Sequence, residues 1–281
     1  MLLLTHLGCG RAYPELVSTR SAAFFDLDKT IIAKSSTLAF SKPFFEGGLL
    51  SRRAVLRSAY AQFMFSINGA DHDQLEKMRA YLTQMVAGWD VEVVRQSVGE
   101  TLHSIIDPIV FDEAVELIEQ HQAAGRDVVI VSASGTEVVE PIGEMLGVDH
   151  VIATTLVVKN GRYTGDVDFY AYGPNKAKAM KKLATERGYD LSECYAYSDS
   201  ETDAPMLAAV GHPFAVNPDK TLRRIADENG WPILIFARPV ALRRRLGLDT
   251  RVGKAAAVAV VASAVSAITV ALVMRRKRLV A

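Results

Sequence analysis

Seven residues, Phe24-Phe25-Asp26-Leu27-Asp28-Lys29-Thr30, constrain this chain more than any others. They follow Ala22 and Ala23, so a short apolar run ends on two carboxylates two positions apart. Such a run reads as a buried strand. Charge at the mouth of a buried strand has a desolvation cost and rarely occurs without a partner or a metal. In an open α/β sheet the carboxyl ends of strands are also where ligands bind. The pair therefore reads as chemistry, with Asp26 placed to attack an electrophile and Asp28 to handle the proton.

Beyond Thr30 the apolar spacing becomes helical. Leu49, Val55, Leu56, Tyr60 and Phe63 recur at helical intervals, as do Leu75, Met78, Leu82, Met85 and Val86. Asn68-Gly69 and Gly88 mark breaks. The spacing predicts an all-helical insertion over residues 35–108. A βα alternation follows: a helix over 110–124 closed by Gly125, a strand over 127–131, and a helix from Gly135 to Leu146. Thr155–Val158 and Tyr163–Phe169 flank Asn160-Gly161, a hairpin signal. A helix over 174–187, a strand over 193–197, a short helix over 204–209 and short strands at 214–216 and 233–236 complete the series. Strands alternating with helices predict an α/β fold, a doubly wound and mostly parallel sheet covered on both faces.

The 281 residues suffice for one large domain or a domain with an insertion. With 49% hydrophobic and 23% charged residues the chain is globular rather than disordered. A formal net charge of zero argues against a strong electrostatic grip on nucleic acid. Cys9 and Cys194 lie too far apart for a disulfide framework and suit a reducing compartment. Residues 1–20 lack the basic and apolar regions of a signal peptide and read as an extension to a core over 21–237. Residues 238–281 form a basic linker and an apolar tail. Residues 255–274 carry no charge and match the about 20 residues that a bilayer-crossing helix needs. Arg251 and Lys254 precede that run, and Arg275, Arg276, Lys277 and Arg278 follow it. It reads as a single transmembrane helix, with a helix lying on a surface as the other reading. The basic residues upstream, Arg238 and Arg243 to Arg245, favour a catalytic domain on the cytoplasmic side.

Later strand ends bring further polar residues. Ser132 is an ordinary helix N-cap or, with Ser134 and Gly135, part of an anion site at a helix start. Lys176 follows Gly173-Pro174-Asn175 at another helix start, where a cation opposes the macrodipole. It is a solvated lysine or one with an external partner such as a phosphate. Ser198-Asp199-Ser200-Glu201-Thr202-Asp203 adds carboxylates to the same edge, unless Asp203 only caps the next helix.

In this order the set resembles the haloacid dehalogenase superfamily of phosphatases. It looks like the phosphoserine phosphatase branch, whose helical cap is inserted after the first motif. The resemblance covers residues 22–237 and implies a role for each residue. Asp26 would form an aspartyl-phosphate. Asp28 would protonate the leaving oxygen and then deprotonate water. Ser132, Lys176 and Thr30 would form the phosphate site, with Thr30 also bracing the first loop. Mg²⁺ would be bound by Asp26, the main-chain carbonyl of Asp28, and Asp199, with Asp203 supporting Lys176 or the metal from behind. The ion-pumping ATPases resemble this superfamily too, but they carry Thr where this chain has Asp28, and their phosphoenzyme survives.

The expected activity is Mg²⁺-dependent hydrolysis of a small phosphorylated metabolite or head group. A phosphotransferase using the same intermediate is one alternative, and a non-catalytic membrane-bound regulatory module is another. Phosphoserine phosphatases carry, at the start of the cap, a Glu that pairs with the substrate ammonium. By spacing from Asp26 that position here is Ser35, which argues against free phosphoserine. Arg52, Arg53 and Arg57 form a solvated face or meet a substrate carboxylate. Phe40, Phe44 and Phe45 pack in the core or line an apolar entrance.

Overall fold

The computed structural model describes residues 20–49 and 84–237. The apolar tail at 255–274, the arginines at 52, 53 and 57, and most of the expected helical insertion lie outside the described residues. In chain order the elements are β1 (Ala22–Phe25), α1 (Ser36–Ala39), α2 (Ser41–Glu46), α3 (Val91–Ile106) and α4 (Asp112–Ala123). They continue with β2 (Asp127–Gly135), α5 (Thr136–Leu146), β3 (His150–Lys159), β4 (Arg162–Phe169) and α6 (Pro174–Arg187). The last are β5 (Tyr195–Ser198), α7 (Ala204–Leu207), β6 (His212–Val216), α8 (Lys220–Asn229) and β7 (Ile233–Leu234). Among the described residues no helix is long and apolar enough to cross a membrane.

The strands form one sheet in the order β4-β3-β2-β1-β5-β6-β7. All neighbours are parallel except β3 and β4. β1 lies in the middle, and its side chains alternate between two cores. Ala23 and Phe25 join the core under α3, α4 and α5. Ala22 and Phe24 join the core under α6, α7 and α8. This two-sided burial explains why β1 reads as a continuous apolar run rather than an alternating one. Complete burial of Phe24 and Phe25 contributes about 1.5–3 kcal/mol apiece.

Topology creates the site. From β1 the chain builds β2 and β3 on one side, then places β5, β6 and β7 on the other. The order reverses between β1 and β5, and the crevice at their carboxyl ends is where such sheets bind ligands.

Several boundaries differ from the sequence expectation. β2 runs on to Gly135, so Ser132 is a strand residue, and the N-cap of α5 is Gly135. The reading of Ser132 as a helix cap is thereby corrected, because the chain stays extended past Val131, across an irregularity in the ladder, until Gly135 pairs with Thr154. β3 starts at His150 rather than Thr155, because its first residues pair in parallel with β2. The Asn160-Gly161 turn has positive φ at both residues (51° and 75°), the combination a two-residue hairpin demands. α8 is absent from the sequence expectation; Asp219 caps it and Gly230 ends it in a left-handed conformation.

Candidate active site

Asp26 extends the ladder one residue past β1, its N–H donating to the carbonyl of Tyr197 at 2.9 Å. The chain then turns sharply. The carbonyl of Leu27 accepts from the N–H groups of Ile31 (2.9 Å) and Ile32 (3.0 Å), and Lys29 takes φ 63°. Left-handed backbone at a bulky non-glycine residue is strained and tends to occur at functional loops. The turn brings the Asp28 carboxylate to the start of α1, where it accepts from the N–H of Ser36 at 2.9 Å. Burial pushes the Asp28 carboxyl up, and the bonds from Ser36 and the Ser35 hydroxyl offset only part of that. A carboxyl held above its usual range suits a proton donor.

The decisive contact lies between distant segments. The Nζ of Lys176 donates to Asp26 Oδ1 at 2.6 Å and to Asp203 Oδ2 at 2.7 Å. All three side chains are at least nine-tenths buried. Gly173 (φ 53°) and Pro174 start α6 so that Lys176, in its first turn, points into the sheet edge. The two carboxylates supply the external reason for a cation at that helix end. Burial works against the charged ammonium, but Asp26 and Asp203 outweigh it and hold Lys176 above the usual lysine range. Burial also pushes the Asp26 carboxyl up, and Lys176 works against that without cancelling it. The Ser198 hydroxyl, at the end of β5, donates to Asp203 Oδ2 at 2.7 Å.

Asp199 follows β5 on the same edge. Burial raises its carboxyl to about 6, against the pull of Lys29, whose Nζ stands 3.8 Å away. Asp199 also acts on Asp26 through space. Its backbone is braced by Asp219, whose N–H donates to the Asp199 carbonyl at 2.9 Å. Ser132 is buried within β2, its hydroxyl accepting from the N–H of Ser134 at 3.2 Å. No hydrogen bond joins Ser132 to Asp26 or Lys176 among the described residues. Thr30 is fully buried, and its hydroxyl finds no hydrogen-bond partner there. The Leu27 carbonyl holds the turn, and the Thr30 N–H is among its donors at 3.4 Å.

Comparison with known proteins agrees with this geometry. The profile of the haloacid dehalogenase-like hydrolases matches residues 23–208. The chain belongs to that family. A Streptomyces azureus protein called an inhibition of morphological differentiation protein is 61% identical, over 92% of this chain and 94% of its own length. A probable phosphatase of Mycobacterium tuberculosis is 59% identical over 91% of this chain and 90% of its own. A phosphoserine phosphatase of the same organism is 34% identical over 86% and 79%. A solved Bordetella pertussis structure of unknown function superposes with a TM-score of 0.69 and 28% identity, over 77% of this chain and 99% of that one.

In this hydrolase the donor set fits a hard divalent cation. Asp26 and Asp203 flank one buried ammonium, and Asp199 lies buried on the same edge. Asp203 Oδ1 is buried without a hydrogen-bond partner among the described residues. The edge is short of positive charge, and its donors are all oxygen. No group of three or more His, Cys, Asp or Glu side chains able to hold a metal occurs among the described residues. Two carboxylates would thus need a main-chain oxygen to complete the protein's share.

Sequence reasoning gives no role to Ser36 or Ser198. Ser198 reads only as a member of the polar run after β5, and Ser36 lies eight residues past Asp28, where nothing local marks it.

Proposed function

We propose that this hydrolase cleaves phosphate monoesters through an aspartyl-phosphate on Asp26, with Mg²⁺ as its cofactor. The buried chain Asp26–Lys176–Asp203 at the mouth of β1 and β5 carries the reading, because it couples a nucleophile to a fixed cation away from water. An Asp26 oxygen attacks phosphorus as the bond from phosphorus to the ester oxygen breaks. The departing oxygen takes the proton of Asp28, which burial keeps available against the opposing bonds from Ser35 and Ser36. Asp28, now ionised, takes a proton from water, and the resulting hydroxide displaces Asp26 to release phosphate. Lys176 offsets charge on the phosphoryl oxygens, and Asp203 with Ser198 fixes its position. Ser132 donates its hydroxyl to the same oxygens. Asp26, Asp199 and the Asp28 main-chain carbonyl would hold the Mg²⁺, which neutralises phosphate charge when bound.

Asp26→Asn in the full chain should reduce hydrolysis of acetyl phosphate to background; undiminished turnover would defeat the reading. Transfer of phosphate to added alcohols, at the expense of inorganic phosphate, would show a phosphotransferase instead. The proposal extends to location: the run at 255–274 anchors the enzyme with its catalytic domain on the cytoplasmic side. Membrane fractionation of the full chain beside one ending at residue 237 checks this.

A further inference from the structure

We infer that the substrate is the phosphate ester of an apolar alcohol, aromatic or aliphatic and without a carboxylate, whose organic part occupies a cavity beside the catalytic loops. This rests on the phosphatase reading above. The cavity measures about 220 Å³ and lies between α2, α3, α5 and the β3–β4 hairpin. Phe44, Trp89, Val138 and Leu156 give it apolar walls. Protein interiors leave few voids larger than a water. An apolar cavity of about 150 Å³ already takes a benzene ring. The space is thus large enough for an apolar group.

Continuity with the catalytic loops identifies the occupant. Thr37 and Ser134 form the cavity's near end. The Ser134 hydroxyl lies 2.7 Å from that of Ser36 and 3.3 Å from that of Thr37. Ser36 in turn donates its N–H to Asp28, and Ser134 donates its own to Ser132. The cavity wall is therefore one residue removed from both the proton donor and the phosphate-binding serine. A phosphoryl group held there directs its ester oxygen at Asp28 and its carbon chain into the cavity.

The charge of the described lining disfavours an acidic substrate. Glu137 is the sole charged residue lining the cavity among the described residues. Its carboxylate shares a hydrogen bond with the buried Tyr163 hydroxyl. A substrate carboxylate would lose water beside Glu137, and among the described residues no cation lines the cavity to compensate. A substrate ammonium would be matched by that carboxylate. Ser35, at the position where an ammonium-pairing Glu is expected, directs its hydroxyl to Asp28 instead.

The test measures kcat/KM of the full chain with Mg²⁺ on phenylalaninol phosphate, O-phosphoserine and acetyl phosphate. Phenylalaninol phosphate should exceed phosphoserine by about 100-fold, within what one apolar pocket provides. Leu156→Trp should lower the ratio of phenylalaninol phosphate to acetyl phosphate at least about tenfold, as filling the pocket demands. Glu137→Gln should narrow the gap between phenylalaninol phosphate and phosphoserine, and decides the matter if the tryptophan variant does not fold. Phosphoserine turnover equal to or above that of phenylalaninol phosphate would overturn the inference, as would a folded Leu156→Trp enzyme with an unchanged ratio. If acetyl phosphate is hydrolysed in an Asp26-dependent way but the gap is absent, the substrate inference alone fails. If acetyl phosphate is not hydrolysed at all, the phosphatase reading fails with it.

Discussion

Replacing Lys176 by Met tests the charge chain directly. Met matches the length of the lysine stem and removes only the ammonium. The lysine side chain is 4% exposed, and its partners Asp26 and Asp203 are 9% and 2% exposed. Removing one member of a buried ion pair costs about 3–5 kcal/mol, because the remaining charge keeps its desolvation penalty. Two carboxylates lose their partner here, so the upper part of that range is expected at pH 8. Both can escape by taking up a proton. Burial already pushes the Asp26 carboxyl up, and without Lys176 it acts unopposed. A carboxyl whose pKa is raised on folding contributes stability at low pH that is lost as pH rises through the folded value. The deficit of Lys176→Met should therefore shrink from pH 8 to pH 5, by about 1.4 kcal/mol for each unit by which the orphaned pKa exceeds its unfolded value. Adding Asp203→Asn should recover at least about 1 kcal/mol at pH 8, since contacting charges couple. Urea unfolding followed by circular dichroism in metal-free buffer measures all of these. A cost below about 1 kcal/mol at both pH values, or strict additivity of the two substitutions, would refute the reasoning.

Three further outcomes follow from the same coordinates. Mg²⁺ should raise the melting temperature of the metal-free chain, and Asp199→Asn should abolish most of that rise, read by calorimetry with and without chelator. His121 is buried between Arg126, whose Nε donates to its Nδ1 at 2.8 Å, and the Tyr197 hydroxyl at 2.9 Å from its Nε2. Burial first, and Arg126 second, lower its pKa to about 4. The neutral ring is the folded form, so its contribution is present above the unfolded value of 6.5 and lost as pH falls toward 4. The stability advantage of the native chain over His121→Gln should decline across that window, by less than the ~1.4 kcal/mol per pH unit of a whole proton because solvent screens Arg126. A Cβ on Gly211 would meet the Ser192 carbonyl oxygen at 1.7 Å, so Gly211→Ala forces the backbone apart. It should lower the urea midpoint by an amount equivalent to about 2 kcal/mol or more, whereas Gly161→Ala, which meets nothing, should act only through its positive φ.

Much of the scaffold was legible because periodicity and turn chemistry are local. The run Ala22–Phe25 reads as a strand buried on both faces, and Asn160-Gly161 announces its hairpin. Other features were not local. Ser132 could be a helix cap or part of an anion site, since nothing in the sequence records that β2 stays extended to Gly135 beside β3. α8 was missed because two buried positions, Leu222 and Ala226, lie among lysine, arginines and acids. Lys176 stood out by opposing its helix dipole, and the resemblance implied Asp203 as support for it or for the metal, but its bond to Asp26 could not be read from the sequence.

The sequence alone determined which atoms are available: paired carboxylates at a strand end, a lysine at a helix start, and further carboxylates after a late strand. Tertiary structure decided which of them share one buried ammonium, because the reversal of strand order between β1 and β5 joins segments 150 residues apart. It also left a cavity beside the catalytic loops. A cavity is the space several elements fail to fill, and that space has no sequence of its own.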